Sequence, residues 1–220
     1  MLKNKQFAVF GLGRFGGSLV KELYQNGIEV LAVDNDQKKV DEYAKYAIQA
    51  VQVQKLDEET LRMLDITSFD HVFVSFGDNI EGSVLLTMLL KEMGVKKVWA
   101  KASSDNHQKV LNKIGADQVI HPERDMAKKI ANYISSKSII DYIEISNEHS
   151  IVEIIASPKI YNKTLQDLDT RNRFGCNIIA IKRNNVVKIS LIPNELILKD
   201  DVLVVIGRKT AIRRFEEEGV

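Results

Sequence analysis

The sequence is poor in the features that mark secreted, membrane-spanning or nucleic-acid-binding proteins. A single cysteine, Cys176, stands in 220 residues, so no internal disulfide forms and no metal spacing can be built on cysteines. Set in Phe174-Gly-Cys-Asn-Ile-Ile, it reads as a small buried apolar residue beside a strand. No apolar run approaches the roughly 20 residues that a membrane-spanning helix needs, and Met1-Leu-Lys-Asn-Lys lacks a signal-peptide core. An excess of one charge sign is missing too. With 31 basic and 30 acidic residues, the formal net charge of +1 gives no electrostatic case for nucleic acid or a lipid surface. There are no sequence repeats and no low-complexity segments. What remains, 45% hydrophobic and 28% charged, is the balance expected of a soluble intracellular chain of one large or two small domains. Any work at a membrane then requires a partner that supplies the spanning part.

What is present begins at the N-terminus. The apolar run Phe7-Ala-Val-Phe leads straight into Gly11-Leu-Gly13-Arg14-Phe15-Gly16-Gly17, a helical pattern follows, and a second apolar run ends at Asp34-Asn35. Strand, G-x-G-x-x-G, helix, strand and acid are the parts of a dinucleotide-binding βαβ unit. Gly11 suits the tight turn, Gly13 the close approach of a diphosphate, and Gly16 the packing of helix on strand. The helix start offers N–H groups to phosphate. Asp34, about 20 residues on, suits a ribose hydroxyl and repels a 2′-phosphate.

Strands and helices then alternate. Strands are expected at Ile28–Val33, Ala47–Val53, His71–Ser75, Val98–Lys101 and Gln118–His121, and helices at Asp36–Lys45, Leu56–Leu61, Asn79–Met93, Asp105–Ile114 and Met126–Ser135. Apolar strands with little alternation, separated by amphipathic helices, predict an α/β fold, a Rossmann-like doubly wound parallel sheet over residues 1–137. The pattern changes after a polar junction, Ser135-Ser-Lys137-Ser. Strands at Ile139–Ile145, Ser150–Ile155, Asn177–Arg183, Val186–Ser190 and Val202–Ile206, with helices at Thr164–Arg171 and Thr210–Glu218, predict a small α+β domain over residues 138–220. Asn184-Asn185 is a tight-turn candidate.

A dehydrogenase is the usual owner of such an N-terminal unit, but hydride transfer needs a proton donor or acceptor beside the nicotinamide. The second domain holds one histidine, His149, in an expected turn; His71 starts a strand and His107 caps or faces solvent. His121 ends the sixth strand, just before Pro122-Glu123-Arg124-Asp125. No catalytic arrangement emerges, and no P-loop lysine motif for hydrolysis.

Ligands of doubly wound sheets sit at the carboxyl ends of the strands. Asp34, Ser75-Phe76-Gly77-Asp78-Asn79, Lys101 and Glu123 fall there. Lys101 either neutralises phosphate or is a solvated strand-end lysine. Glu123 either shares a divalent cation with phosphates or favours the start of the next helix. Arg14 either reaches a terminal phosphate, of its own or a neighbouring subunit's ligand, or forms a surface fork with a carboxylate.

The runs Gly11-Leu-Gly-Arg-Phe-Gly16, Leu31-Ala-Val-Asp34, Trp99-Ala-Lys101, Ile114-Gly-Ala-Asp117, His121-Pro-Glu-Arg-Asp-Met126, Ile143-Glu-Ile-Ser, Ser150-Ile-Val-Glu153, Phe174-Gly-Cys-Asn-Ile-Ile-Ala-Ile181 and Arg214-Phe-Glu-Glu-Glu-Gly219 span nearly the whole chain. In them the sequence resembles the TrkA/KtrA family, the cytosolic RCK-domain gating subunits of bacterial Ktr potassium transporters.

That resemblance implies a non-enzymatic regulator: a homo-octameric ring built from dimers, lying at the inner face of the cell membrane under a membrane-embedded potassium-translocating Ktr subunit. It implies ATP in the active state, ADP in the inactive one, and NAD(H) as a further ligand. Gly11, Gly13, Arg14, Phe15, Gly16, Asp34, Asn35, Ser75, Phe76, Gly77, Lys101 and Glu123 would form the nucleotide site. Asp34 would hold the ribose, Arg14 the terminal-phosphate region across a subunit pair, and Glu123 a divalent cation. The C-terminal RCK domain would dimerise and bind cyclic di-AMP, with Leu165, Ile178, Ile179 and Pro193 under the bases and Arg171 and Asn177 at the phosphates. This chain departs from the family at Gln54-Lys55-Leu56, where relatives often carry a small polar Asn/Asp-Ala-Thr run near the adenine. The departure bears on base selectivity. The other functions compatible with the Gly motif are a soluble NAD(H) redox sensor and a small oxidoreductase.

Overall fold

The computed structural model describes residues 5–135, 138–184 and 186–220. Ser136-Lys137 of the polar junction, and with them the expected domain boundary, lie outside the described residues, as does Asn185 of the expected turn. Contacts divide the chain into two compact units, Met1–Arg124 and Asp125–Val220.

The first unit is a six-stranded parallel sheet in the order β3-β2-β1-β4-β5-β6, formed by β1 (Phe7–Phe10), β2 (Val30–Asp34), β3 (Gln49–Gln52), β4 (His71–Val74), β5 (Val98–Lys101) and β6 (Gln118–Ile120). Every residue of β1 and β2 is buried, as central strands covered on both faces require. Ala8, Phe10, Leu31 and Val33 pack into one core with Leu86, Leu90 and Leu111, while Phe7, Val9, Val30 and Ala32 pack on the other face with Val20 and Tyr43. Its helices are α1 (Arg14–Gln25), α2 (Gln37–Tyr43), α3 (Glu58–Met63), α4 (Ile80–Glu92) and α5 (Asp105–Lys113); α6 (Pro122–Ser135) begins in this unit and continues into the second. Side chains at the N-caps start four of them: Asp36 accepts from Lys38 N–H, Asp57 from Thr60, Asn79 from Gly82 and Ser104 from His107. Helix α6 begins at Pro122, four residues before the expected Met126. Proline at the first helical position has its φ preset and needs no donor there, so His121-Pro122 starts the helix and places Glu123 in its first turn.

The second unit is a five-stranded antiparallel sheet in the order β10-β9-β11-β8-β7, built from β7 (Ile139–Glu144), β8 (His149–Ile155), β9 (Cys176–Arg183), β10 (Val186–Lys188) and β11 (Val202–Arg208). Val152, Ile154, Cys176, Ile181, Leu203 and Val205 form its core with Ile212 and Phe215. The single helix expected at Thr164–Arg171 is two short ones, α7 (Leu165–Leu168) and α8 (Thr170–Arg173). Asp169 between them sits at φ 42°, ψ 48°, a left-handed conformation that aspartate tolerates and that ends a helix. The closing helix is α9 (Lys209–Arg214), continued by a wider π turn over Phe215–Gly219. Between Val204 and Val205 the β9–β11 register shifts, so Ile179 is an extra residue in β9. Cys176 and Ile178 face inward before it and Ile181 after it, which strict alternation does not allow.

Candidate functional site

The site grows from the end of β1. Gly11 has φ +91°, and a Cβ on it would meet the Ser75 carbonyl oxygen at 2.6 Å. A Cβ on Gly16 would lie 1.9 Å from the Gly11 carbonyl oxygen, so α1 packs against the turn only because that atom is missing. Gly13 is different: its Cβ position is open, with nothing within 4 Å. It caps α1 without any side-chain hydrogen bond, and the first turn of α1 holds no acidic residue. The N–H groups of that turn are thus presented next to open space, the arrangement that receives phosphate.

One strand over, Asp34 is buried at the end of β2. One carboxylate oxygen accepts the Leu12 N–H at 2.6 Å and the other the Asp36 N–H at 2.9 Å, while Lys39 Nζ lies 3.5 Å from the former. The acid therefore braces the Gly turn as well as facing the cavity. The end of β3 is tied on by Val53 N–H to the Asp34 carbonyl, 3.0 Å. On the other side of β1, Ser75 N–H donates to the Phe10 carbonyl at 2.8 Å and leads into the Phe76-Gly77 turn.

These pieces enclose a cavity of about 450 Å³ at the point where the strand order reverses between β1 and β4. Of the residues expected from sequence, it is lined by Gly11, Gly13, Asp34, Asn35, Ser75, Phe76 and Gly77. Lys39, Gly82, Leu85 and Leu86 also line it and were not expected. Leu85 and Leu86 look in sequence like ordinary core positions of α4; Leu86 is one, whereas Leu85 is exposed, and both line the cavity.

Arg14, Phe15, Gly16, Lys101 and Glu123 do not line it. Gly16 is buried behind the turn, and Arg14 is exposed on the first turn of α1. Lys101, at the end of β5, is mostly buried and pairs with Glu123 of α6 at 2.5 Å. Its ammonium also lies 6.0 Å from the Phe15 ring centre, so the pair reaches back toward the Gly turn. The Lys101 hydrogen bond holds the Glu123 carboxyl below its ordinary range. Among the described residues no three His, Cys, Asp or Glu side chains converge as a metal cluster. One carboxylate suits a hard cation when phosphate oxygens and water complete the shell, and Glu123 fits a cation in that manner only.

In the second unit the expected ligand residues lie on four segments. Asn177 and Ile179 are exposed on β9, with Ile178 half-buried between them. Arg171 is exposed on α8. Leu165 and Pro193 are brought together by Gln166 N–H to the Pro193 carbonyl, 2.9 Å, and Leu165 N–H to the Glu195 carbonyl, 3.0 Å. Cys176 is fully buried and burial pushes its thiol up to about 11, in keeping with a packing residue.

Comparison with known proteins places these two units in sequence space. Residues 7–122 match the TrkA-N domain family and residues 149–218 the TrkA-C domain family. The Ktr system potassium uptake protein C of Bacillus subtilis is 52% identical over 213 residues, 97% of this chain and 96% of that protein. The Ktr system potassium uptake protein A of the same organism is 48% identical over 219 residues, covering 100% of this chain and 99% of that protein. Among solved structures, the GsuK channel bound to NAD shares the fold with a TM-score of 0.53 at 18% identity, over 97% of this chain. The chain spans 38% of that channel chain.

Proposed function

The chain belongs to the TrkA/Ktr family of potassium-uptake proteins, and from this premise we propose that it is a nucleotide-binding regulator of a Ktr-type potassium transporter. One observation carries the reading: a cavity at the strand-order reversal that joins an open helix N-terminus at Gly13 to the buried carboxylate of Asp34. In this reading Asp34 holds the adenosine ribose and the first turn of α1 the phosphates of ATP or ADP. Arg14, exposed on the first turn of α1, contacts the terminal phosphate, in a ring across a subunit pair. Phosphate arriving near Lys101 competes with Glu123 for the ammonium and frees the carboxylate for a divalent cation. NAD(H) is a further ligand of the same cavity.

The protein works as a gate rather than an enzyme, a homo-octameric ring of dimers on the cytoplasmic side of a membrane-embedded potassium-translocating subunit. The apolar stripe Met126, Ile130, Ile134, exposed by 52–73%, and the exposed Val186, Val187 and Ile189 support self-assembly. The second unit takes cyclic di-AMP, using Leu165, Ile178, Ile179 and Pro193 for the bases and Arg171 and Asn177 for the phosphates. ATP and ADP bias the ring only through their different affinity for its shapes, and they differ by one phosphoryl group. Arg14 is therefore the residue to test.

Calorimetric titration of the full chain with ATP, ADP, NADH and cyclic di-AMP, with Mg²⁺ present, gives tight binding of both adenine nucleotides and a separate cyclic di-AMP site. Arg14→Ala then weakens ATP by about 10-fold, the loss of one charge-assisted contact, and leaves ADP nearly unchanged. Equal loss of both ligands removes Arg14 from this role. NADH binding without ATP binding favours the redox-sensor reading instead.

A further inference from the structure

In the nucleotide reading given above, base, ribose and phosphate would run along the carboxyl edge of the sheet at the ends of β3, β2 and β1, which are neighbours in that order. Gln54 stands two residues past the end of β3 and lines the cavity with Val53 and Leu56. Its side-chain Nε2 donates to the Asn35 carbonyl at 3.1 Å, and Gln52 Nε2 donates to the same oxygen at 3.0 Å. A carbonyl oxygen has two lone pairs, and the two glutamines occupy both. The amide of Gln54 is thereby held in one orientation, since turning it over would set its oxygen against the Asn35 oxygen. Its Oε1 accepts no hydrogen bond from any described residue. Oε1 is thus the acceptor that Gln54 brings to a cavity also lined by apolar Val53, Leu56 and Leu85, which suit the faces of a purine.

We propose that Gln54 is the specificity-determining residue for the base, with Asn35 and Gln52 as its positioning partners, and that it selects a purine bearing a 6-amino group over one bearing a 6-oxo group. This rests on the nucleotide-site reading given above. Adenine presents N–H donors at that edge and guanine an acceptor, so guanine both fails to pair with Oε1 and repels it. The fixing by Asn35 is what makes the choice hold. A free glutamine could turn over and offer its N–H₂ to guanine instead.

The test is calorimetry on the full chain with ADP and GDP. The unaltered protein binds ADP at least 10-fold more tightly than GDP. Gln54→Leu lowers ADP affinity by about 5- to 10-fold and leaves GDP within about 2-fold, so the preference collapses; Gln54→Lys, which offers a donor, moves it toward GDP. Gln54 is exposed, and the emission of the single tryptophan, Trp99, verifies that each variant is folded. An ADP/GDP ratio unchanged in both variants overturns the role of Gln54 while leaving the nucleotide site standing. Failure of the unaltered protein to bind ADP or ATP at all overturns both.

Discussion

Asp34 accepts two backbone N–H groups, from Leu12 and Asp36, while buried beside the cavity, so its carboxylate supports the loop. Removing it leaves the Leu12 N–H without an acceptor in a buried turn and Lys39 without its partner. Asp34→Ala is expected to cost about 3 kcal/mol of stability, within the range for losing charged acceptors of buried donors. It should also weaken ATP, ADP and NADH together. Denaturant unfolding and calorimetry on one preparation separate the two effects, and unchanged affinity would move the ribose contact elsewhere.

The turn between β1 and α1 holds Gly11 and Gly13, the start of α1 holds Gly16, and substitution tells their duties apart. Gly16→Ala forces a methyl group into the Gly11 carbonyl, an overlap that only a shift of α1 off the sheet relieves, and should destabilise by about 3 kcal/mol. Gly13→Ala meets nothing in the folded chain and, at an N-cap where alanine ranks below glycine, costs about 1 kcal/mol. In the proposed site the same methyl group would occupy the space of the diphosphate. Gly13→Ala should therefore lower the denaturant midpoint much less than Gly16→Ala yet lose most of its affinity for ADP. Wild-type affinity in this variant would place the phosphates away from the start of α1.

The two units have separate cores, and Trp99 lies in the first. Its emission therefore reports on that unit alone, whereas far-UV dichroism follows both. ADP at 100 times its Kd should stabilise the Trp99-monitored transition by about 2.7 kcal/mol and leave the second component in place. Acid should act on the same transition. Trp99 Nε1–H donates to His71 Nδ1 at 3.1 Å, a bond that requires Nδ1 to be unprotonated. Burial first, then the charges of Lys5 and Lys97 against the opposing Asp70, hold His71 below its ordinary value; burial alone does the same for His107. Between those lowered values and about 6.5 the unfolded chain binds more protons than the folded one, so stability falls as pH drops through that window. Lowering pH from 7.5 to 5.0 should reduce the Trp99 midpoint, and His71→Phe should shrink that dependence. Coincident transitions by both probes, unmoved by ADP, would argue against separate cores.

The parallel sheet, the Gly turn and Asp34 were legible in the chain because each rests on local chemistry: buried strands repeat without alternation, a positive-φ turn demands glycine, and the acid closes the second strand at a set distance from the turn. The two-strand reading around Asn184 was legible likewise, with Asn184 at φ 50°. Other features depend on residues far apart in sequence. The break at Asp169 hides inside a helix-like pattern. The extra residue at Ile179 is defined only by the partner strand β11. Asp201, which reads as a loop residue, is fully buried, and Arg183 grips it with bonds of 2.7 and 2.8 Å. Burial pushes the Asp201 carboxyl up, but the guanidinium and the Leu198 N–H outweigh it and hold it below the ordinary range. Lys39 and Leu85 enter the cavity, and Lys101 turns to Glu123, through the packing of helices on the sheet. Spacing and periodicity could declare the fold class and the backbone geometry of the loop, because backbone sterics and solvent act residue by residue. Which side chains share a cavity, an ion pair or a carbonyl lone pair was decided only when the folded backbone set their distances.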